Sequence, residues 1–406
     1  MITPSSDFRE LFAVPDYRRL WAIGAGIGVT RWLELLSLGL FAFHVTGSPQ
    51  LVALVAIVRM VPYVLFGFVV GALADYLDRQ RMLAAGFLVA AIASAVMAAM
   101  AVADLAGYGT VLVAAVFSGL LWTTDMPVRR RLVVEAAGVE RMASALGFDN
   151  STSFATRAIG PLAGGAAYQM FGIEGIFALS ALVQLGCFLL SMRLQRTPAA
   201  SPVAEQAGPR PSPLAMLILP RELIRSRRFV AVLGVTVVFN VWCFPIISMV
   251  PVLGEEFGLS PTLIGALSAC DGIGGTIGSI LIGLLAGQRP HFQLYYFGVM
   301  GFLLLLMALS AWLTLGTMVL GLFMIGLAQA CFSATQYALV YTMSPPKVRG
   351  RAAGFMSFFI GTSTIGFYNT GYLFSNFSST DAMKLMAIEG LAPLLLIGLL
   401  WLRAKN

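Results

Sequence analysis

Charge is what this sequence lacks. Of its 406 residues only 11% are Asp, Glu, Lys or Arg, while 58% are apolar and the mean hydropathy is +0.86. A water-soluble domain carries about 25% charged residues. Falling short of that by more than half leaves too little polar surface to face water, which excludes a soluble enzyme or binding domain. Histidine is nearly absent, with two residues, His44 and His291. The four cysteines (Cys187, Cys243, Cys270, Cys331) are widely separated, with no CxxC and no His/Cys cluster. That argues against zinc and against a disulfide framework, and leaves cysteine as a small packing residue. No Ser/His/Asp set, metal cluster or phosphate-cradling loop stands out, so no enzymatic chemistry, cofactor or metal is expected.

Long apolar runs are present instead. About twelve can be marked, near residues 20–43, 51–74, 82–103, 109–127, 144–168, 174–192, 229–252, 261–286, 293–313, 317–342, 353–375 and 383–402. Runs of roughly 20 residues suit bilayer-spanning helices, whereas a strand-built barrel shows ~10-residue alternating segments. The fold class is therefore all-α integral membrane. Residues 1–19 are polar with three arginines, so no cleavable secretion signal is expected.

The net charge of +7 follows topology rather than nucleic-acid binding. Of the 26 basic residues, all but Lys384 and the three in-span arginines, Arg31, Arg59 and Arg157, fall on one alternating set of loops. Such a bias places both termini in the cytoplasm of a multi-pass protein. Residues 194–228 carry Pro198, Pro202, Pro209, Pro211 and Pro213, then an apolar and basic alternation from Leu214 to Arg228. This reads as a cytoplasmic linker with an amphipathic segment, dividing an N-terminal six-helix bundle (1–193) from a C-terminal one (229–406). The halves echo faintly: Gly283 to Arg289 mirrors Gly71 to Arg81, and Lys347 to Phe355 mirrors Glu140 to Phe148. An internal duplication implies a binding site near mid-membrane.

Polar residues inside spans are few, and each costs at least about 2.5 kcal/mol if charged, so they face a bundle interior or wet cavity. Arg31 and Glu34 lie three residues apart on one helical face and can pair. Arg59 precedes Pro62. Arg157, Asp271 and Glu389 complete the charges, with Gln329, Gln336, Tyr337 and Asn369 as neutral cavity candidates. Buried carboxylates can load and release protons near neutral pH, which makes Glu34 the first proton-coupling candidate and Asp271 the second. Arg31, Arg59 and Arg157 would shape the cavity; alternatively, Arg31 and Glu34 form a structural pair. With many aromatics and methionines around them, these groups suit an amphiphilic small molecule.

Two stretches border the spans. Gly71-Ala-Leu-Ala-Asp75-Tyr-Leu-Asp-Arg79-Gln-Arg81 is a short charged turn between apolar runs, and Trp122-Thr-Thr-Asp125-Met-Pro-Val-Arg129 ends the fourth run. Asp75, Arg79 and Asp125, with Arg129 beside them, would meet at one cytoplasmic level as an intracellular latch. In the fifth run, Gly160-Pro161-Leu-Ala-Gly164-Gly165 predicts a kinked, closely packed helix.

These three motifs, in this order, resemble the major facilitator superfamily, and the resemblance covers essentially the whole chain. Phe8-Arg-x-Leu, Tyr17-Arg-Arg-Leu-Trp21, Thr46-Gly-Ser48 and Arg59-x-x-Pro62 resemble its enterobactin and macrolide exporter branch. The resemblance implies twelve helices in two pseudo-symmetric bundles and alternating access. It also implies export in exchange for protons, associated with the Gly-Pro element of the fifth helix, and contact of Asp75 with the start of the eleventh. One departure concerns coupling: many relatives place an acid directly before the aromatic of the first helix, where this chain has Arg31 before Trp32. The expected protein is a monomeric exporter of a drug- or siderophore-like molecule in a bacterial inner membrane, its partners being that small molecule, protons and the lipid bilayer. A proton-independent facilitator or lipid-type transporter is the alternative, and a non-transporting receptor a remote one.

Overall fold

The computed structural model describes residues 4–73, 77–138, 141–195, 221–285, 292–345, 352, 356 and 358–403. The regular elements among them are helices: α1 (Pro4–Ala13), α2 (Pro15–Thr46), α3 (Pro49–Leu73), α4 (Arg79–Val102), α5 (Tyr108–Ala137), α6 (Met142–Met192), α7 (Arg221–Arg225), α8 (Arg227–Val238), α9 (Val250–Glu256), α10 (Pro261–Leu285), α11 (Phe292–Ala311), α12 (Leu315–Met343), α13 (Ser363–Asn376) and α14 (Ser379–Arg403). A π-turn (Phe239–Cys243) and a 3₁₀ segment (Phe244–Met249) join α8 to α9. Ten helical stretches are long and apolar enough to cross a membrane. Lipid offers no partner to a backbone amide, so apolar runs of this length bond internally as helices. Their outward faces carry bare hydrophobics such as Leu182, Met170 and Leu402.

The 51 residues of α6 are two crossings. Gly172, at φ 63°, interrupts the helical dihedrals, a conformation glycine adopts at little cost. Before it, Gly160 and Gly164 lie against Trp32 and Leu33 of α2; after it, Cys187 bonds the Ile23 carbonyl and Gln80 reaches Ser191. The chain has therefore turned back along α2. Helical dihedrals run through Pro161, and the expected close packing rests on its neighbouring glycines. The α6 hairpin brings the described crossings to eleven. The expected span at 353–375 falls partly outside the described residues, which show it as the 14-residue α13.

The contacts define two compact units. The first comprises residues 1–41 and 58–210. Its core gathers Leu11 and Tyr17 with Phe87, Leu121, Val128 and Cys187. Gly119 of α5 lies where a Cβ would strike the Arg59 carbonyl, so α3 and α5 meet backbone to backbone.

The second unit comprises residues 42–57 and 211–406. Here the expected span at 229–252 is one stretch, Arg227–Glu256, whose helical winding changes partway. Pro245 has no amide proton to continue the ladder, and the chain widens into the π-turn, then tightens into the 3₁₀ segment. Gly366 of α13 fits against the carbonyls of Asn240 and Val241 at that break. Phe239 stacks on Phe332 at 3.8 Å, and the buried Tyr295 hydroxyl meets Thr236 at 2.6 Å. At the α2–α3 turn, the Gln50 amide donates to Ser375 at 3.0 Å and His44 meets Glu255 at 2.7 Å.

Candidate functional site

Glu34 sits halfway along α2 and is 6% exposed. The Ser118 hydroxyl of α5 donates to its Oε2 at 2.7 Å, and the Gln184 amide of α6 donates to Oε1 at 3.3 Å. Behind them, Ser94 of α4 donates to Gln184 Oε1 at 2.9 Å. These four side chains line a small cavity together with apolar residues that include Ala93, Met97 and Phe177. A carboxylate at this depth is thus held by neutral donors.

Arg31 does not pair with Glu34. Its guanidinium donates to Asp125 at 3.1 Å and lies over the Trp122 ring at 5.0 Å. The reason is the direction of α5. It runs antiparallel to α2, so the earlier residue on α2 meets the later one on α5: Arg31 with Asp125, Glu34 with Ser118. Arg59, 2% exposed, donates to the Arg31 carbonyl at 2.8 Å and is within electrostatic reach of Glu34, while its Nε is buried without a hydrogen bond. Arg157 lies over Trp32 at 4.8 Å.

Of the expected latch, Arg79 and Asp125 do not meet. Gly71 closes on the end of α3 but its surroundings, like Asp75, lie outside the described residues. Arg79 pairs with Glu135, not Asp125. Ten residues of helix rise about 15 Å, and α5 continues past the expected end at residue 127 to Ala137, so it is Glu135 that comes level with Arg79. Asp125 is fully buried and accepts from Arg129 Nε at 2.9 Å as well as from Arg31. Arg129 continues to Asp149 at 2.5 Å, and Arg130 approaches the other Asp149 oxygen at 3.8 Å. The result is a buried ionic chain, Arg31–Asp125–Arg129–Asp149.

In the second unit, Oε2 of Glu389 accepts from the Trp242 indole at 3.0 Å and from Asn369 at 2.7 Å. Asp271, Gln329 and Gln336 are buried; the Asp271 carbonyl abuts Gly326, and Gln336 Nε2 makes no hydrogen bond. The Tyr337 side chain lies outside the described residues. Among the described residues no three His, Cys, Asp or Glu side chains converge on a metal-sized site.

Sequence reasoning passed over Ser94, Ser118, Glu135, Asp149 and Gln184. Asp149 was open to it, being an acid inside an apolar run. Neutral serines and glutamines in a span carry no such signal.

Comparison with known proteins agrees with this architecture. The family model for the Major Facilitator Superfamily matches residues 20–367 and 230–405. The enterobactin exporter EntS of Shigella dysenteriae serotype 1 (strain Sd197) is 26% identical over 239 residues, 58% of this chain; the match spans only 53% of the exporter's own length. Among solved structures, nucleoside transporter NupG superposes with a TM-score of 0.76 at 14% identity, over 95% of this chain and 99% of that one. A bacterial homologue of the iron transporter ferroportin, in an inward-facing state, gives 0.67 at 18% identity, over 98% and 99%.

Proposed function

The chain belongs to the major facilitator superfamily, and from that premise we propose that it exports an amphiphilic small molecule by alternating access in exchange for protons, with Glu34 as the group that carries the proton. The observation that carries this reading is the setting of Glu34: a buried mid-span carboxylate whose hydrogen bonds come from Ser118 and Gln184, with Arg31 committed to Asp125 instead. A carboxylate fixed in an ion pair is locked in its charged form; one held by neutral donors can change charge. Arg59 supplies the compensating field. Similarity to an enterobactin exporter supports a siderophore- or drug-like cargo moved out through a bacterial inner membrane, and the bias of basic residues to one set of loops supports cytoplasmic termini.

The experiment is transport by the purified protein in proteoliposomes under an imposed pH gradient, against dyes, macrolides and catecholate siderophores. Gradient-driven movement by the wild type, lost in Glu34→Gln at equal reconstitution, is the expected result. Full gradient-driven activity in Glu34→Gln overturns the role of Glu34. Movement indifferent to the gradient establishes a facilitator instead.

A further inference from the structure

From α8 to α14 the helices hold acids at bilayer depth with no base to match them. Arg227 and Arg228 open α8, Lys384 lies in the second turn of α14, and Arg403 ends it. None of α9 to α13 carries Lys or Arg. Glu389 lies near the middle of α14 and is half-buried. It enters none of the ion pairs among the described residues. A carboxylate at this depth calls for an opposite charge close by.

Its oxygens are unequally used. Oε2 accepts from Trp242 at 3.0 Å and from Asn369 at 2.7 Å, and among the described residues nothing donates to Oε1. An indole nitrogen can only donate, so Trp242 fixes Oε2 as its acceptor and leaves Oε1 as the open oxygen. Pro393, one turn on, has no amide proton for the Glu389 carbonyl. The flank of this acid on α13 is apolar and open. Ile365 and Tyr372 stand four residues before and three after Asn369, on its side of the helix, and are 63% and 47% exposed.

We propose that Glu389, with the Trp242 indole beside it, receives the positively charged group of the cargo, an amphiphilic organic cation whose apolar body lies along Ile365 and Tyr372. This rests on the chain being a transporter of an amphiphilic small molecule, and not on Glu34 carrying the proton. A bare metal ion suits the place less well. A small hard cation takes about six oxygens, whereas the two left without their usual donors here are Oε1 and the Glu389 carbonyl. An organic cation needs one anion, an aromatic neighbour and an apolar wall.

The test is equilibrium binding of tetraphenylphosphonium to the full-length protein in nanodiscs, read by calorimetry at one pH against empty nanodiscs. Tetraphenylborate, of the same shape and opposite charge, is the control. The wild type should bind the phosphonium and not the borate. Glu389→Gln keeps an oxygen for Trp242 and Asn369 and removes the charge; it should weaken phosphonium binding about tenfold or more. Trp242→Leu removes the ring and keeps the carboxylate, and should weaken it about threefold or more. If Glu389→Gln does not fold, Trp242→Leu carries the test. Unchanged affinity in either variant overturns the proposal, and so does a wild type that binds the phosphonium no better than the borate. Those results leave the proton-carrier reading standing, because no proton gradient enters the measurement. Transport indifferent to the gradient overturns that reading and leaves this one.

Discussion

Arg31 reaches across to Asp125 at 3.1 Å, although Glu34 lies on its own helix three residues away. That choice separates two kinds of charge inside the first unit. Arg31, Asp125, Arg129 and Asp149 neutralise one another in a buried chain. Glu34 keeps neutral hydrogen-bond donors, the Ser118 hydroxyl and the Gln184 amide. Pairing the two α2 residues would have tied the carboxylate to a permanent cation.

Asp125 holds that chain together. Asp125→Asn leaves Arg31 and Arg129 facing a neutral group in a fully buried place, and the loss of one partner of a buried pair costs about 3–5 kcal/mol. A lowered melting temperature in detergent is expected. Arg31→Met should cost less, because Arg129 still neutralises Asp125, and the double variant Arg31→Met/Asp125→Asn should recover part of the single Asp125 loss.

His44 and Glu255 meet at 2.7 Å with a different expectation. Their side chains are 43% and 27% exposed, and exposed pairs contribute about 0–1 kcal/mol. His44→Gln should leave the melting temperature within the range of surface substitutions.

Glycines test the backbone crossing of α10 and α12. A Cβ at Gly274 would land on the Phe323 carbonyl, and one at Gly326 on the Asp271 carbonyl; one at Gly301 in α11 meets nothing. Gly274→Ala and Gly326→Ala should each destabilise by about 1–3 kcal/mol through overpacking. Gly301→Ala should be neutral or stabilising, since alanine gains about 0.5–1 kcal/mol over glycine within a helix. Equal melting temperatures for all three would contradict the crossing geometry.

Trp242 and Asn369 share one oxygen of Glu389. Trp242→Phe keeps an aromatic ring and removes the N–H, and Asn369→Leu removes the amide. Each alone should cost about 1 kcal/mol or less, because the other donor still satisfies Oε2, and the double variant should cost more than the sum of the two. A thermal double-mutant cycle measures that coupling.

The sequence by itself determined that this is a helical membrane protein, where most of its spans lie, and which side chains are expensive enough at bilayer depth to need a partner. Scarce charge and runs of about 20 apolar residues leave no other stable structure in lipid, because the backbone finds no hydrogen bonds there except its own. Arg31, Glu34 and Arg59 were legible for the same reason. The tertiary structure alone decided who pairs with whom. Position along a helix does not say which neighbour runs antiparallel, or how far that neighbour continues: the α2–α5 register gives Arg31 to Asp125, and the extension of α5 to Ala137 gives Arg79 to Glu135. Nor does it mark Ser94, Ser118 and Gln184, ordinary span residues until three helices bring them to one carboxylate.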